Sequence, residues 1–413
     1  MRKQKYSALL LSALLLTGCC AAKTPAQTPA IPAADIMQLD AEGKEADAGF
    51  SMAQYRFALE LLRNVQRAKG QTNVMVSPYS VMQALSMTAN GAANQTRTEM
   101  EQVLGNGISV NDLNKYLYTW RTEQPESDAC RLHTANGIWI NREVEQINNL
   151  FAEQVRNFYA AEIRKRAFDQ KTLREINGFV KKETDGMIPD ILRQLEPDAT
   201  AVLVNAVGFE SRWAVPYEKD KVCDGIFWNA DGSESTVQMM TGSESGYLES
   251  DGAVGFLRDY DGQYAFAGIL PPEDVSVQAW LDAQTPEDLI AMVAGRTDTS
   301  VTSVMPAFTA DTDVQLEQIL PEMGMQSAFT GAADFSCLSD TSMKIDKVIH
   351  KTHIEVDEKG TKAAAATAVV MQKNDAEMIG TEKTVRLDRP FVYMILDMNN
   401  ELPVFIGTVQ TLA

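Results

Sequence analysis

The chain has 413 residues, 45% hydrophobic and 23% charged, a balance that excludes a disordered or fibrous protein and fits one large domain or two ordinary ones. Lys and Arg total 37 against 56 Asp and Glu, a formal net charge of -19 that disfavours nucleic acid as a partner. Only His133, His350 and His353 are available to a histidine-ligated metal centre, and the five cysteines form no C-x-x-C pair, so neither a structural zinc site nor a dense disulfide scaffold is expected.

Arg2, Lys3 and Lys5 precede the apolar run 8–16 and then Thr17-Gly18-Cys19. A basic flank, a short apolar core and small residues before a cleavage point describe a signal peptide over residues 1–18. The core falls short of the roughly 20 apolar residues of a membrane-spanning helix. Leu16-Thr17-Gly18-Cys19 resembles the bacterial lipobox, in which the cysteine is acylated and becomes the mature N-terminus; an ordinary cleaved signal peptide is the alternative. Residues 19–49, with Pro25, Pro29 and Pro32 among Ala, Thr and Gln, read as a tether. The expected location is therefore outside the cytoplasm, lipid-anchored at a bacterial cell envelope and facing the exterior or periplasm.

A single folded domain is expected over 50–413. Tyr55, Ala58, Leu59, Leu62 and Val65 recur at helical spacing ahead of Gly70, which predicts an opening helix of about 16 residues. Residues 73–76 form a short apolar strand candidate, and Ser77-Pro78 starts a second helix carrying Val81, Leu85 and Met87. Residues 147–163 and 172–182 show helical periodicity. Ala201-Val202-Leu203-Val204 reads as a strand covered on both faces. Glycines 232, 242, 246, 252 and 262 punctuate a strand-rich stretch between 220 and 270. A helix is expected around 313–323, and strands return in the final hundred residues, ending at 391–396. Helices and strands mix without a regular βαβ period, so the fold class is α+β.

Enzyme signatures are missing. There is no phosphate-cradling G-x-x-x-x-G-K-[ST] loop, and Gly105-Asn106-Gly107 lacks the third glycine of a dinucleotide fingerprint and reads as a turn. Gly242-Ser243-Glu244-Ser245-Gly246 has the outline of a nucleophile elbow, but its centre is Glu244 rather than serine. His350 and His353 lie three apart in strand-like surroundings, which puts their rings on opposite faces and suits no shared metal. Asp311 and Asp313 read as solvated residues of polar turns. No catalytic residue, cofactor or metal is expected.

Residues 357–380 are unusual. Alanine favours a helix there, yet with period two Thr361, Ala363, Ala365, Thr367, Val369 and Met371 share one uncharged, mostly small face, while Lys362 and Gln372 fall on the other. This is the pattern of a strand able to slide between two others. The segment from Ile349 to Thr367, with Glu355-Val356-Asp357-Glu358-Lys359-Gly360-Thr361-Lys362 and Ala363 to Ala366, resembles the hinge signature of the serpin family. Residues 73–81 resemble the family's shutter, 201–205 with Trp213 and Tyr217 its central sheet, and 176–186 its helix motif, with Phe179 where tryptophan is usual. Met305-Pro306-Ala307-Phe308, Arg389-Pro390-Phe391 and Phe405-Ile406-Gly407 complete an ordered series spanning 50–413.

The resemblance implies a single serpin domain of about nine helices and three β-sheets, with an exposed C-terminal reactive loop at about 358–385. It implies a suicide-substrate inhibitor of serine proteases: the loop is cleaved, an acyl-enzyme forms, and the freed loop inserts as a new strand of the central sheet, trapping the protease. The hinge residues are then Glu358, Gly360, Thr361, Ala363, Ala364, Ala365, Ala366 and Thr367, and the shutter residues Ser77, Ser80, Asn205 and His350. Counting forward from Glu358 by the family's spacing reaches Asn374, followed by Asp375; counting back from Arg389-Pro390-Phe391 reaches Ile379. Lys373 supplies the cation that an acidic trypsin-like pocket pairs with, so Lys373-Asn374 is the first candidate bond. Val370, Met371, Met378 and Ile379 are apolar alternatives for elastase-like or subtilisin-like enzymes. A monomer is expected, touching membrane only through a lipid on Cys19. A non-inhibitory serpin, acting as a binding protein or mere protease substrate, is the alternative, and a lipoprotein enzyme or solute-binding protein stands behind it.

Overall fold

The computed structural model describes residues 41–125, 127, 130–361 and 382–413. The Asp47 carboxylate accepts the Phe50 amide at 3.0 Å and starts helix α1 (Ala48–Lys69), which Gly70 ends at a φ of 67°. This helix is longer than the apolar periodicity predicts, because its first and last turns are held by the cap and by Gly70. There follow β1 (Val74–Val76), α2 (Pro78–Ala89), α3 (Asn94–Gly105), α4 (Val110–Thr122), β2 (Cys130–Asn141), α5 (Asn149–Tyr159), β3 (Glu162–Arg166), α6 (Gln170–Glu183) and β4 (Ala201–Arg212). The second half comprises β5 (Val222–Trp228), β6 (Glu234–Ser250), β7 (Ala253–Asp259), β8 (Tyr264–Leu270), α7 (Val277–Ala283), α8 (Pro286–Ala294), β9 (Thr297–Pro306) and β10 (Phe308–Gln315). It ends with β11 (Lys347–Val356), β12 (Gly360–Thr361), β13 (Lys383–Arg386), β14 (Phe391–Asp397) and β15 (Leu402–Val409).

Helices and strands mix as an α+β fold. Among the described residues, eight α-helices surround two hydrogen-bonded sheets. The six-stranded sheet has the order β10-β11-β12-β4-β2-β3; the nine-stranded one runs β1-β15-β14-β8-β7-β6-β9-β13, with β5 on β6. A third sheet is not separate because β6 serves two neighbourhoods. Its first part pairs with β5 and β9 and its end with β7, with a register shift between Glu244 and Gly246. Every residue of α2, β14 and β15 is buried, and α2 packs on β4, β2 and β15, between the two sheets. Ser77 caps α2 through its side chain and Pro78 occupies the first turn, as the Ser-Pro pair predicts.

Three expectations need correction. The helix expected around 313–323 is not there: β10 runs to Gln315 with strict alternation, Phe308, Ala310, Thr312 and Val314 buried, and only a single 3₁₀ turn, Leu316–Gln318, follows. The period is two, and Pro321 and Gly324 leave no room for a longer helix. Asp311 and Asp313 accordingly sit on a strand, not in turns. They face His353 at 2.7 Å and Lys351 at 3.7 Å across the β10–β11 ladder. The helical stretch predicted over 147–163 also ends early, at Tyr159, where Ala160 adopts a left-handed backbone and the chain turns into β3.

Candidate functional site

The six-stranded sheet is closed at one end and split at the other. From Lys347↔Val202 to His353↔Gly208, β11 and β4 pair directly and in parallel. Beyond that they diverge, and β12 lies between them: Thr361 faces Val356 on β11 and Ser211 on β4. The sheet thus already holds Thr361 between the two strands, while below it β11 and β4 pair directly with each other.

The split end is held by backbone and aromatic contacts. Asp357 turns the chain, its Oδ1 accepting the amides of Lys359 at 2.7 Å and Gly360 at 3.1 Å. Gly360 has a φ of 154°, and a Cβ there would lie 2.2 Å from the Ser211 carbonyl oxygen and 2.7 Å from Arg212 Cα, so only glycine fits against β4. The Trp213 amide donates to the Lys359 carbonyl and the Tyr217 amide to that of Glu358, both at 2.9 Å; the Trp213 indole N–H donates to the Asp357 carbonyl at 2.8 Å. Trp213 stacks on Tyr260 at 4.3 Å, and the Tyr260 hydroxyl lies 2.6 Å from Thr361 Oγ1. Thr361 is fully buried, so a neutral side chain of this size is a steric and electrostatic requirement.

The closed end is locked by a polar row. Asn136, Asn205 and His350 occupy opposed register positions on β2, β4 and β11, beneath the start of α2. Ser77 N–H donates to His350 Nε2 at 3.1 Å, which fixes the proton on Nδ1; Nδ1–H donates to Asn205 Oδ1 at 2.7 Å. The Asn205 amide nitrogen donates to the Ser80 carbonyl at 2.9 Å and to Asn136 Oδ1 at 2.7 Å, with the Ser80 hydroxyl also in reach. Ser77 Oγ donates to the Val404 carbonyl and accepts the Ser80 amide. Burial alone pushes the His350 pKa down to about 3, so the ring is neutral and the row carries no charge. The four residues singled out as the shutter are therefore brought together. Asn136 belongs with them and carries no signal in the sequence, because only the β2–β4 register brings it alongside Asn205.

Glu358, Gly360 and Thr361 are placed at the split end. Ala363, Ala364, Ala365, Ala366, Thr367, Met371, Lys373, Asn374, Asp375, Met378 and Ile379 lie outside the described residues, as does Cys19. The chain resumes at Glu382 and forms β13, parallel to β9 on the nine-stranded sheet, so the two ends of segment 362–381 are anchored on different sheets.

The profile of the family described as serpin (serine protease inhibitor) matches residues 52–412. Alpha-1-antiproteinase of Rattus norvegicus is 27% identical over 97% of each chain, and Iripin-2 of Ixodes ricinus is 29% identical over 89% of this chain and 95% of its own. Among solved structures, the native state of the thermophilic serpin Tengpin is 38% identical and superposes with a TM-score of 0.82, covering 90% of this chain and 97% of that one. The family match over residues 52–412, on a chain whose central sheet is split at one end, shows that the chain belongs to the serpin family of serine protease inhibitors, proteins that do not catalyse a reaction of their own.

Proposed function

We propose that this protein traps serine proteases by sacrificing its 362–381 segment. The observation that carries the reading is Thr361, buried between β11 and β4 at the head of a sheet still closed below it. Continuing its register, residue by residue, would bring Ala363 between Phe209 and Ile354, Ala365 between Val207 and Thr352, and Thr367 between Asn205 and His350. Small residues would thus pass through the apolar part of the slot, and a hydroxyl would arrive where the polar row has been parted. Each inserted residue gains ladder bonds on two sides, whereas each parted β11–β4 position loses them on one, so insertion runs downhill once the loop is cut. The uncut state persists by a kinetic barrier.

Trypsin-like enzymes are the first targets, with Lys373 in the specificity pocket. The protease serine oxygen attacks the Lys373 carbonyl carbon, and its proton passes through the protease histidine to the Asn374 nitrogen as the Lys373–Asn374 bond breaks. The resulting ester is carried away with the inserting strand before water can hydrolyse it. Elastase-like and subtilisin-like enzymes are second, at Met371, Met378 or Ile379. One chain supplies the slot, the hinge and both loop anchors, so a monomer suffices. Cleavage before Cys19 and acylation there would hold the inhibitor at a bacterial envelope on its Pro-rich tether; more than one acyl chain is needed for stable anchoring.

The test is incubation with trypsin-like, elastase-like and subtilisin-like proteases. The expected product is a complex that survives SDS, and from trypsin a released C-terminal fragment beginning at Asn374. A fragment beginning at Gly380 would move the bond to Ile379. Cleavage with no complex would establish the non-inhibitory alternative. For the anchor, wild-type protein is expected in the membrane fraction and Cys19→Ser in the soluble one; an unmodified, soluble wild type would refute lipidation.

A further inference from the structure

Glu244, the residue that spoils the resemblance of 242–246 to a nucleophile elbow, is buried against Arg258: their side chains are 7% and 6% exposed. Ion pairs this deep in a protein cost desolvation that an apolar pair would avoid, so their presence asks for a role. Glu244 sits at the register shift of β6, bonded to Arg258 Nη1 and accepting the Ser303 hydroxyl at 2.8 Å. The other arm of the guanidinium, Nη2, donates to the Val215 carbonyl, and its Cζ lies 3.7 Å from the Tyr217 ring centre and 5.0 Å from that of Trp213. Arg258 therefore grips residues 213–217 at a carbonyl and two rings. Those same residues hold the carbonyls of Asp357, Glu358 and Lys359. Gly242 makes the space: a Cβ there would fall 2.8 Å from Arg258 Nη1 and 2.9 Å from both Glu244 Oε1 and the Tyr217 ring.

We propose that the Glu244–Arg258 pair is a positioning clamp, which fixes residues 213–217 so that Thr361 stays seated between β11 and β4 as the primer of the inserting strand. The clamp touches neither protease nor scissile bond. It acts after cleavage, by shortening the time that insertion needs to start. This rests on the insertion reading above. Without the clamp the primer frays, insertion lags, and water reaches the acyl-enzyme first, so a larger share of molecules ends as cleaved inhibitor.

The variants are Glu244→Gln, Arg258→Met and Arg258→Lys, the last keeping the charge opposite Glu244 but with one nitrogen in place of the two-armed fork. Two readouts are taken on full-length protein: the ratio of cleaved inhibitor to SDS-stable complex with trypsin, which counts only molecules that have reacted, and hydrogen exchange at the Trp213 and Tyr217 amides before protease is added. Expected are a rise in the ratio of about fivefold for Glu244→Gln and Arg258→Met, equivalent to about 1 kcal/mol in the insertion barrier, with unchanged initial cleavage rate and faster exchange at the two amides. Arg258→Lys should fall between these and wild type, and it decides the matter if Arg258→Met does not fold. A lower melting temperature with wild-type ratio and wild-type exchange at Trp213 and Tyr217 would overturn the clamp and leave a purely structural pair. If wild-type protein gives no complex with any protease, the insertion reading fails instead, and the exchange measurement still decides whether the pair holds residues 213–217.

Discussion

The two ends of the β11–β4 seam solve opposite problems. At the split end the strands are kept apart, and the contacts are main-chain amides, stacked rings and a buried ion pair, none of them between β11 and β4 themselves. At the closed end the strands touch, and a side-chain bond between them, His350 Nδ1–H to Asn205 Oδ1, crosses the seam that an inserting strand would part. A contact beside the seam can persist while the strand slides past it; a contact across the seam must break. Under the insertion mechanism proposed above, the first kind would set where insertion begins, and the second how readily it proceeds. Substitutions at the two ends should therefore fail in different ways.

The largest effect is expected at the split end. Thr361→Arg puts a guanidinium into a fully buried position beside the uncharged Tyr260 hydroxyl, at a cost of several kcal/mol. Cleavage by trypsin should continue while complex yield drops at least about tenfold; an unchanged yield on SDS gels would separate trapping from insertion. At the closed end, His350→Ala strands the Ser77 amide and the Asn205 side-chain Oδ1. With about 1–3 kcal/mol for each orphaned group, a loss of about 2–6 kcal/mol is expected in denaturant melts, together with faster spontaneous loss of activity on storage, since the bond across the seam is gone. If stability falls but activity persists as long as in wild type, the row is structural and does not gate opening. Gly360→Ala is expected to be milder, about 1–3 kcal/mol, because the chain can yield by lifting residues 360–361 off Ser211. Its signature should be a raised share of cleaved inhibitor, as at Thr361.

This contrast also marks what the sequence can tell. Ser77-Pro78 announces a capped helix through local chemistry alone, whereas the period-two small face expected after Thr361 lies outside the described residues. Resemblance then assigns Ser77, Ser80, Asn205 and His350 to one place, and the register brings them there. Asn136, Glu244 and Arg258 were not legible, because each acquires its meaning from a partner on another strand. Asn136 is one polar residue in a stretch that shows no clear period, and Glu244 read as a failed catalytic motif until β6 was set against β7 and β9. The helix expected at 313–323 failed for a related reason: Ala310, Val314 and Leu316 permit either period locally, and pairing with β11 selects the strand.

The smallest and most discriminating effect is on pH. Around His350 the facing groups are the Ser77 amide and Asn205 on either ring nitrogen, with Ser80 and Asn136 beyond; none carries a charge, and burial is the sole cause of the low pKa. The unfolded chain takes up a proton on this histidine below about 6.5, whereas the folded one resists until about 3. The unfolded state thus binds more protons throughout that window, so the native state weakens as pH falls through it and recovers as pH rises. At pH about 5.5 the loss should be about 1.4 kcal/mol relative to neutral pH, from this residue alone. The other titratable groups are common to both proteins, so the test is the difference between wild type and His350→Gln, whose amide can still bond Asn205 but does not titrate. Chemical denaturation between pH 7.5 and 5.5 should give a steeper decline for wild type, by about that amount. Parallel curves would mean that His350 opens to water before it is protonated, and that the closed end is looser than its hydrogen bonds imply.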